Sequence, residues 1–260
     1  MEIKEIYPDF VASSGQVNTP PGSYDTIKEW IREGFIDRES NVLEVGCTTG
    51  FIANQINRYT GARVIGIDLS SVAIEKAKRN SGDNPQLNFQ QANAGELPFN
   101  NDYFSHVIIG GHLPWVKQSE RKEHVIEAVR VLRPKGFLLT SLYYFHDKPQ
   151  ADFLNEFNSA FNTQLSQEGG YQEWSSLFNL ENLVLENENN YKIISPGYLR
   201  KRDYVNRFKK EFQDEWKKKV ELFSRNGEYL SFFVKIFQKI DLLDPYVQIP
   251  RGGIYQWRRI

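Results

Sequence analysis

The chain has 260 residues with 32 Lys+Arg against 33 Asp+Glu, a net charge of −1, and 40% hydrophobic residues, which suits one elaborated domain and excludes a largely disordered chain. A single cysteine excludes an internal disulfide and a cysteine-based zinc site, and the near-zero charge argues against nucleic acid as a partner. The start, MEIKEIYPDF, lacks the basic-then-apolar pattern of a leader, and no run approaches the roughly 18 apolar residues of a membrane span, so the expectation is a cytoplasmic protein with no membrane span.

Residues 1–22 show no period and end in the turn signal Thr19-Pro20-Pro21-Gly22. From Tyr24, the recurrence of Ile27, Trp30 and Ile31 predicts a short amphipathic helix that stops near Gly34. A regular alternation follows. Asn41 to Val45 predicts a strand closed by Gly46, Phe51 to Tyr59 a helix, Arg63 to Asp68 a second strand and Ser71 to Asn80 its helix. Leu87 to Ala92 reads as a third strand and His106 to Ile109 as a fourth. A helix from about Ser119 to Leu132 gathers Val125, Ile126, Val129 and Leu132 on its buried face, and Pro134-Lys135-Gly136 turns the chain into a strand from Phe137 to Tyr143. Strands apolar on both faces and separated by helices need a parallel sheet covered on both sides, so the expected class is α/β with a doubly wound sheet.

After Phe145 the texture changes. Phe153, Leu154, Phe157 and Phe161 predict one amphipathic helix, Trp174, Leu177, Phe178 and Leu185 another, and Tyr191 to Ser195 a strand. Tyr204, Phe208, Phe212, Trp216 and Val220, then Tyr229, Phe233, Ile236, Phe237 and Ile240, predict two long helices with aromatic stripes, whose default role is packing. The basic clusters Arg200-Lys201-Arg202, Lys209-Lys210 and Lys217-Lys218-Lys219 are interleaved with acids and read as solvated faces. Gly253 to Trp257 reads as a last strand. The expected organisation is an N-terminal lid segment and helix over 1–34, a core over 35–145, and a helical cap insertion over 146–260 that also holds the last sheet strands, near 191–195 and 253–258.

Val42-Leu43-Glu44-Val45-Gly46-Cys47-Thr48-Thr49-Gly50 sits at the carboxyl end of the first strand and the start of a helix, where open α/β sheets bind ligands. Gly46 and Gly50 permit close backbone approach. A dinucleotide fingerprint needs glycines at positions 46, 48 and 51, but 48 is Thr and 51 is Phe, and no Gly-Lys-Ser/Thr completes a phosphate-binding loop.

These residues resemble the class I S-adenosylmethionine-dependent methyltransferases, in the small-molecule (type 11/25-like) branch. Glu44-x-Gly46-x-x-x-Gly50 is similar to the family's acid-x-Gly-x-Gly-x-Gly motif. Asp68, 18 residues after Gly50, matches the acid that closes the second strand. Ala92-Asn93-Ala94-x-x-Leu97-Pro98-Phe99 resembles Gly-Asp-Ala-x-x-Leu-Pro-Phe, and Arg130-Val131-Leu132-Arg133-Pro134-Lys135-Gly136 resembles the Val-Leu-Lys-Pro-Gly-Gly turn before strand five. The resemblance spans roughly residues 40–143 and implies a mostly parallel seven-stranded sheet and S-adenosyl-L-methionine as cofactor.

It also implies roles. Gly46 and Gly50 would pass along the methionine part, with Glu44 orienting its amino group; Asp68 would accept hydrogen bonds from the ribose hydroxyls, Asn93 and Ala94 would meet the adenine, and Gly110 would lie beside the sulfonium. Cys47, Thr48 and Leu69 complete the cofactor-binding set; Thr48 replaces the family's middle glycine, and Cys47 reads as a small buried packer rather than a nucleophile. Methyl transfer from a sulfonium requires alignment and, for a protonated acceptor, removal of a proton, but no metal. His112, in Gly110-Gly111-His112-Leu113-Pro114-Trp115 after strand four, is the candidate general base; the alternative is that it lines the pocket or caps a turn. His146 and Tyr143, at the end of strand five, are further candidates. His106 reads as a satisfied core histidine and His124 as exposed.

The Asn/Asp-Pro-Pro-aromatic motif of amino-methylating enzymes that act on DNA or protein amides is replaced here by His112-Leu113-Pro114-Trp115. The expected acceptor is a small organic molecule, methylated at O, N or C, and partly apolar or aromatic because the cap is rich in aromatics. An RNA or protein methyltransferase, or a non-catalytic cofactor-binding protein, are the alternatives.

Overall fold

The computed structural model describes residues 7–14, 18–192, 210–212, 214, 217–218, 221–222, 229–242, 248–251 and 254–257. Strands β1 (Asn41–Val45), β2 (Arg63–Asp68), β3 (Leu87–Gln91), β4 (Phe104–Ile108) and β5 (Leu132–Phe145) pair in parallel, and β6 (Leu183–Lys192) and β7 (Leu230–Lys239) add antiparallel, giving the order β3-β2-β1-β4-β5-β7-β6. This is the expected seven-stranded, mostly parallel sheet.

Each central strand sends successive side chains to opposite faces. On β1, Val42 joins a core with Ile27 and Trp30 of α2 (Tyr24–Glu33), Ile56 of α3 (Phe51–Thr60) and Ile74 of α4 (Ser71–Ser81), whereas Leu43 joins Val125 and Val129 of α5 (Arg121–Val131) and Trp174 of α7 (Tyr171–Ser176). Both faces are therefore apolar, and each fully buried aliphatic side chain contributes about 1.5–3 kcal/mol. A helix before the sheet, α1 (Tyr7–Ser14), packs against α4, although residues 1–22 carry no visible period.

The second half departs from its expected elements. Tyr229 to Ile240 was expected as helix and is strand β7 (Leu230–Lys239): it lies between β5 and β6 with both faces covered, so Phe232-Phe233-Val234 and Ile236-Phe237 are apolar at adjacent positions and mimic helical spacing. The expected helix through Leu185 is cut short, with α7 ending at Ser176 and β6 beginning at Leu183. The last two strands of the sheet are thus β6 and β7, not segments near 191–195 and 253–258. Tyr191 and Lys192 end β6, residues 193–195 lie outside the described residues, and β9 (Ile254–Trp257) pairs with β8 (Gln248–Arg251) in a separate two-stranded sheet. The helix expected over 204–220 lies largely outside the described residues. α6 (Ala151–Phe161) and α7 are the helices described between β5 and β6.

A lysine is buried in β7. Lys235 donates to the Tyr171 hydroxyl and to Ser175 Oγ, both at 2.7 Å, with Glu188 Oε2 at 3.5 Å, which fixes α7 on the sheet.

Candidate active site

The sheet reverses its winding direction between β1 and β4, and open α/β sheets bind ligands outside the carboxyl ends of strands at such a point. The loop after β1 is shaped by three left-handed residues: Gly46 at φ 77°, Thr48 at φ 43° and Gly50 at φ 79°. The N–H groups of Gly46 and Cys47 both donate to the Ile67 carbonyl at 2.8 Å, and the Gly50 N–H donates to the Cys47 carbonyl at 2.8 Å. Thr48 thus takes a left-handed conformation despite carrying a side chain. Side chains are excluded at the flanking glycines: a Cβ on Gly46 would lie 2.8 Å from Cβ of His112, and one on Gly50 would lie 2.9 Å from the Phe89 ring. Cys47 is buried beside Gly66, and burial pushes its thiol well up, as befits a packing residue.

Asp68 closes β2 with its side chain buried. Its Oδ2 accepts the Thr48 N–H at 2.9 Å and its Oδ1 accepts the Ser70 N–H at 3.0 Å. Burial holds this carboxyl above the usual range, partly offset by those amides, with Asp9 adding to the rise. Ser70 caps α4 by accepting the Ala73 N–H, and its hydroxyl donates to Asp9, fastening α1 over the end of β2. Leu69 between them is exposed.

Glu44 is buried, and its Oε2 accepts the Ala53 N–H at 2.9 Å, tying β1 to the first turn of α3. Burial pushes its carboxyl up to about 8. Asn93 is exposed and accepts the Gly95 N–H at 3.0 Å, making a tight turn that leaves Ala94 buried. Gly110, at φ 135°, packs so closely on β5 that a Cβ would meet Thr140 Oγ1 at 2.5 Å.

His112 follows in a short turn capped by the 3-10 segment Leu113–Trp115. Its Nε2 lies 3.0 Å from Nδ1 of His124, the rings stacked with centroids 5.3 Å apart. Its Nδ1 is buried, has no hydrogen-bond partner among the described residues, and lies 3.4 Å from the place a Gly46 Cβ would take. Burial and the neighbouring ring drive His112 down to about 3, so it is neutral at physiological pH. The expectation that His124 is exposed is corrected: it is 8% exposed, because Arg121, His124, Val125 and Ala128 share the buried face of α5. That spacing was present in the sequence.

Arg121 was also missed. One turn before His124, its buried guanidinium donates to the carbonyls of Leu113, Val116 and Gln164, pairs with Glu173 at 3.0 Å and stacks on Trp174. The turn carrying His112 is thus held by a guanidinium and an imidazole from one helix. Trp115 stacks on Tyr7 of α1 with centroids 4.5 Å apart and donates its indole N–H to the Phe161 carbonyl. Tyr143 and His146 stand at the other side, on the end of β5: Tyr143 meets Phe232 edge-on, and His146 Nδ1 lies 3.0 Å from Ser231 Oγ. His106 is satisfied inside the sheet, between Ser105 Oγ and the Gly34 carbonyl. Among the described residues no cluster of three His, Cys, Asp or Glu could hold a metal, and no helix is long and apolar enough to cross a membrane.

Residues 42–136, which contain this loop, Asp68 and His112, match the family described as a methyltransferase domain. The chain carries an S-adenosylmethionine-dependent methyltransferase domain. The crystal structure of MccD protein is similar to it at 27% identity and a TM-score of 0.74, over 86% of this chain and 100% of that one. An O-methyltransferase of Aspergillus nomiae is 32% identical over 128 residues, 48% of this chain and 56% of that protein. A geranyl diphosphate methyltransferase solved in complex with S-adenosylmethionine shares the fold at 14% identity and a TM-score of 0.64, over 84% of this chain and 86% of that one. The chain spans about half the length of several curated relatives it matches.

The residues of the methyltransferase domain fit its cofactor. Nδ1 of His112 is a buried polar atom without a hydrogen-bond partner among the described residues, beside the loop after β1. Asp68, although it accepts two amides, keeps further lone pairs, since a carboxylate has about four acceptor positions.

Proposed function

We propose that this chain moves the methyl group of S-adenosyl-L-methionine to O, N or C of a small, partly apolar or aromatic organic molecule. The observation that carries the reading is the buried Asp68 carboxylate, fixed by the amides of Thr48 and Ser70 at the rim of a loop with left-handed residues at 46, 48 and 50. In this reading Asp68 takes the ribose hydroxyls, Gly46, Cys47, Thr48 and Gly50 border the methionine part with Glu44 behind them, Leu69, Asn93 and Ala94 border the adenine, and Gly110 lies beside the sulfur. The bound cofactor supplies a methyl group already activated by the positive sulfur. What remains for the protein is alignment, exclusion of water and removal of the acceptor's proton.

His112 is the candidate for that proton, and its neutrality suits a site that must also tolerate a cationic cofactor. The aromatic character of the acceptor is supported by Tyr7 and Trp115 stacked over the turn that carries His112, and by Phe153, Phe157 and Phe161, which pack with Tyr7 and Leu222 in one cluster. Tyr143 and His146 are candidates for the acceptor side. The relatives' own names, an O-methyltransferase and a ubiquinone/menaquinone biosynthesis C-methyltransferase, are compatible with either attacked atom. Calorimetry with S-adenosylmethionine and with its demethylated product tests the first layer, and binding of neither overturns it. A turnover screen of aromatic and isoprenoid acceptors tests the second; turnover of polar metabolites alone would remove the aromatic preference.

A further inference from the structure

On the reading that Asp68 takes the cofactor's ribose, we infer that α1 is a lid over the site and that the hydrogen bond between Asp9 and Ser70 is its latch, with Asp9 as a positioning residue for closure. Asp68, Thr48 and Thr49 are each 5% exposed, so a ligand reaches the Asp68 carboxylate only when something moves aside. The sheet cannot yield, because β2 is paired with β1 on one side and β3 on the other, and α4 is rooted by its buried Ala73, Ile74 and Ala77. The element that lies on this rim and can leave it with the sheet intact is α1, which packs on α4 and whose Asp9 accepts the Ser70 hydroxyl.

Two attachments set the course of α1. Asp9 is fastened at Ser70, just past β2, and Tyr7 stacks on Trp115, in the turn past β4, with centroids 4.5 Å apart. In the sheet β1 lies between β2 and β4, so the first turn of α1 spans the carboxyl end of β1 and the loop from Gly46 to Gly50. Residues along a helix are rotated by about 100° each, so Tyr7 and Asp9 reach in nearly opposite directions, as a bridge requires. The chain beyond α1 is anchored: the Pro21 carbonyl accepts the hydroxyls of Thr26 and of Ser141 on β5, the latter at 3.4 Å. The latch itself closes against a like charge, since the Asp9 carboxylate repels that of Asp68. On its other side α1 carries the second half of the chain, with Phe10 edge-on to Phe212 and Tyr7 packed on the cluster of Phe153, Phe157 and Phe161.

Hydrogen exchange on the full chain reads the lid without any ligand. A lid that opens by itself lets the amides of the buried Val11 and Ala12 exchange at least ~10²-fold faster than those of Leu43 and Val45 in β1, and Asp9→Ala speeds α1 by a further ~10-fold while β1 is unchanged. Equal protection of α1 and β1 means that α1 parts from the domain only on global unfolding, and overturns the proposal. Stopped-flow mixing with the demethylated cofactor reads the gate. A latch slows traffic in both directions, so Asp9→Ala should raise association and dissociation rates alike by ~10-fold and leave Kd within about threefold; Asp9→Asn, which keeps an acceptor without the charge, should fall between. Unchanged rates overturn the gate. A loss of affinity carried by dissociation alone makes Asp9 a ligand contact and overturns it equally. Failure of the wild-type chain to bind the demethylated cofactor would defeat the methyltransferase reading instead, and the exchange comparison of α1 with β1 stands apart from it.

Discussion

The backbone N–H of Thr48 donates to Oδ2 of Asp68 at 2.9 Å, so the loop after β1 takes its shape from a side chain on the next strand. Asp68→Ala removes that anchor together with the ribose acceptor. Hydrogen bonds to a charged group contribute about 1.5–3 kcal/mol each, so affinity for S-adenosylmethionine should fall at least ~10²-fold. Calorimetry on a variant whose melting curve remains cooperative checks this; unchanged affinity would remove Asp68 from the site.

Gly46→Ala should be poorly tolerated. Its φ of 77° is costly for a side chain, and the new Cβ would meet His112 Cβ at 2.8 Å. Left-handed strain and overpacking together should cost roughly 2–4 kcal/mol in urea unfolding. A loss below ~1 kcal/mol would mean that the turn carrying His112 yields freely.

Glu44 makes stability depend on pH. Its carboxyl is raised from 4.5 to about 8 in the folded chain, so its contribution is full below 4.5 and is lost as pH rises through 8. Between those values it should lower unfolding free energy by up to about 1.4 kcal/mol per pH unit. Glu44→Gln can still accept the Ala53 N–H and should flatten the curve. Urea titrations of both proteins from pH 5 to about 9 give the comparison, and parallel curves would refute the assignment.

Arg121→Ala leaves Glu173 and the carbonyls of Leu113, Val116 and Gln164 without their buried donor. Breaking a buried pair from one side costs about 3–5 kcal/mol. Arg121→Lys should not restore it, because one ammonium cannot span these partners. Hydrogen exchange at residues 111–116 should accelerate in both variants; protection equal to wild type would show that the turn is held elsewhere.

The first half of the fold was legible because its strands and helices alternate with different periods, and because Gly46, Gly50 and Asp68 mark strand ends where only certain residues serve. Thr48 shows the boundary of that legibility: the sequence has no glycine there, yet the backbone is left-handed. β7 was misread for a physical reason. A strand covered on both faces carries no alternation, and Phe233, Ile236 and Phe237 fall by coincidence on a helical stripe. His124 was misjudged because a polar residue on an amphipathic helix was assigned to solvent, whereas its neighbours Arg121, Val125 and Ala128 place it inside. The pairing of His112 with His124, 12 residues apart, depends on tertiary packing that no local pattern encodes.

The position of β7 bears on how such an enzyme can diversify. Lys192 at the end of β6 faces Ser231 across the ladder, and Leu230 at the start of β7 faces Phe145, so the chain between Lys192 and Leu230 leaves and returns at neighbouring strand ends on the rim where β1 and β4 terminate. Closing a longer excursion costs only about 0.6 kcal/mol per doubling of its length. That rim is a socket: the segment that joins its two neighbouring strand ends can change in length without shifting the register of either strand.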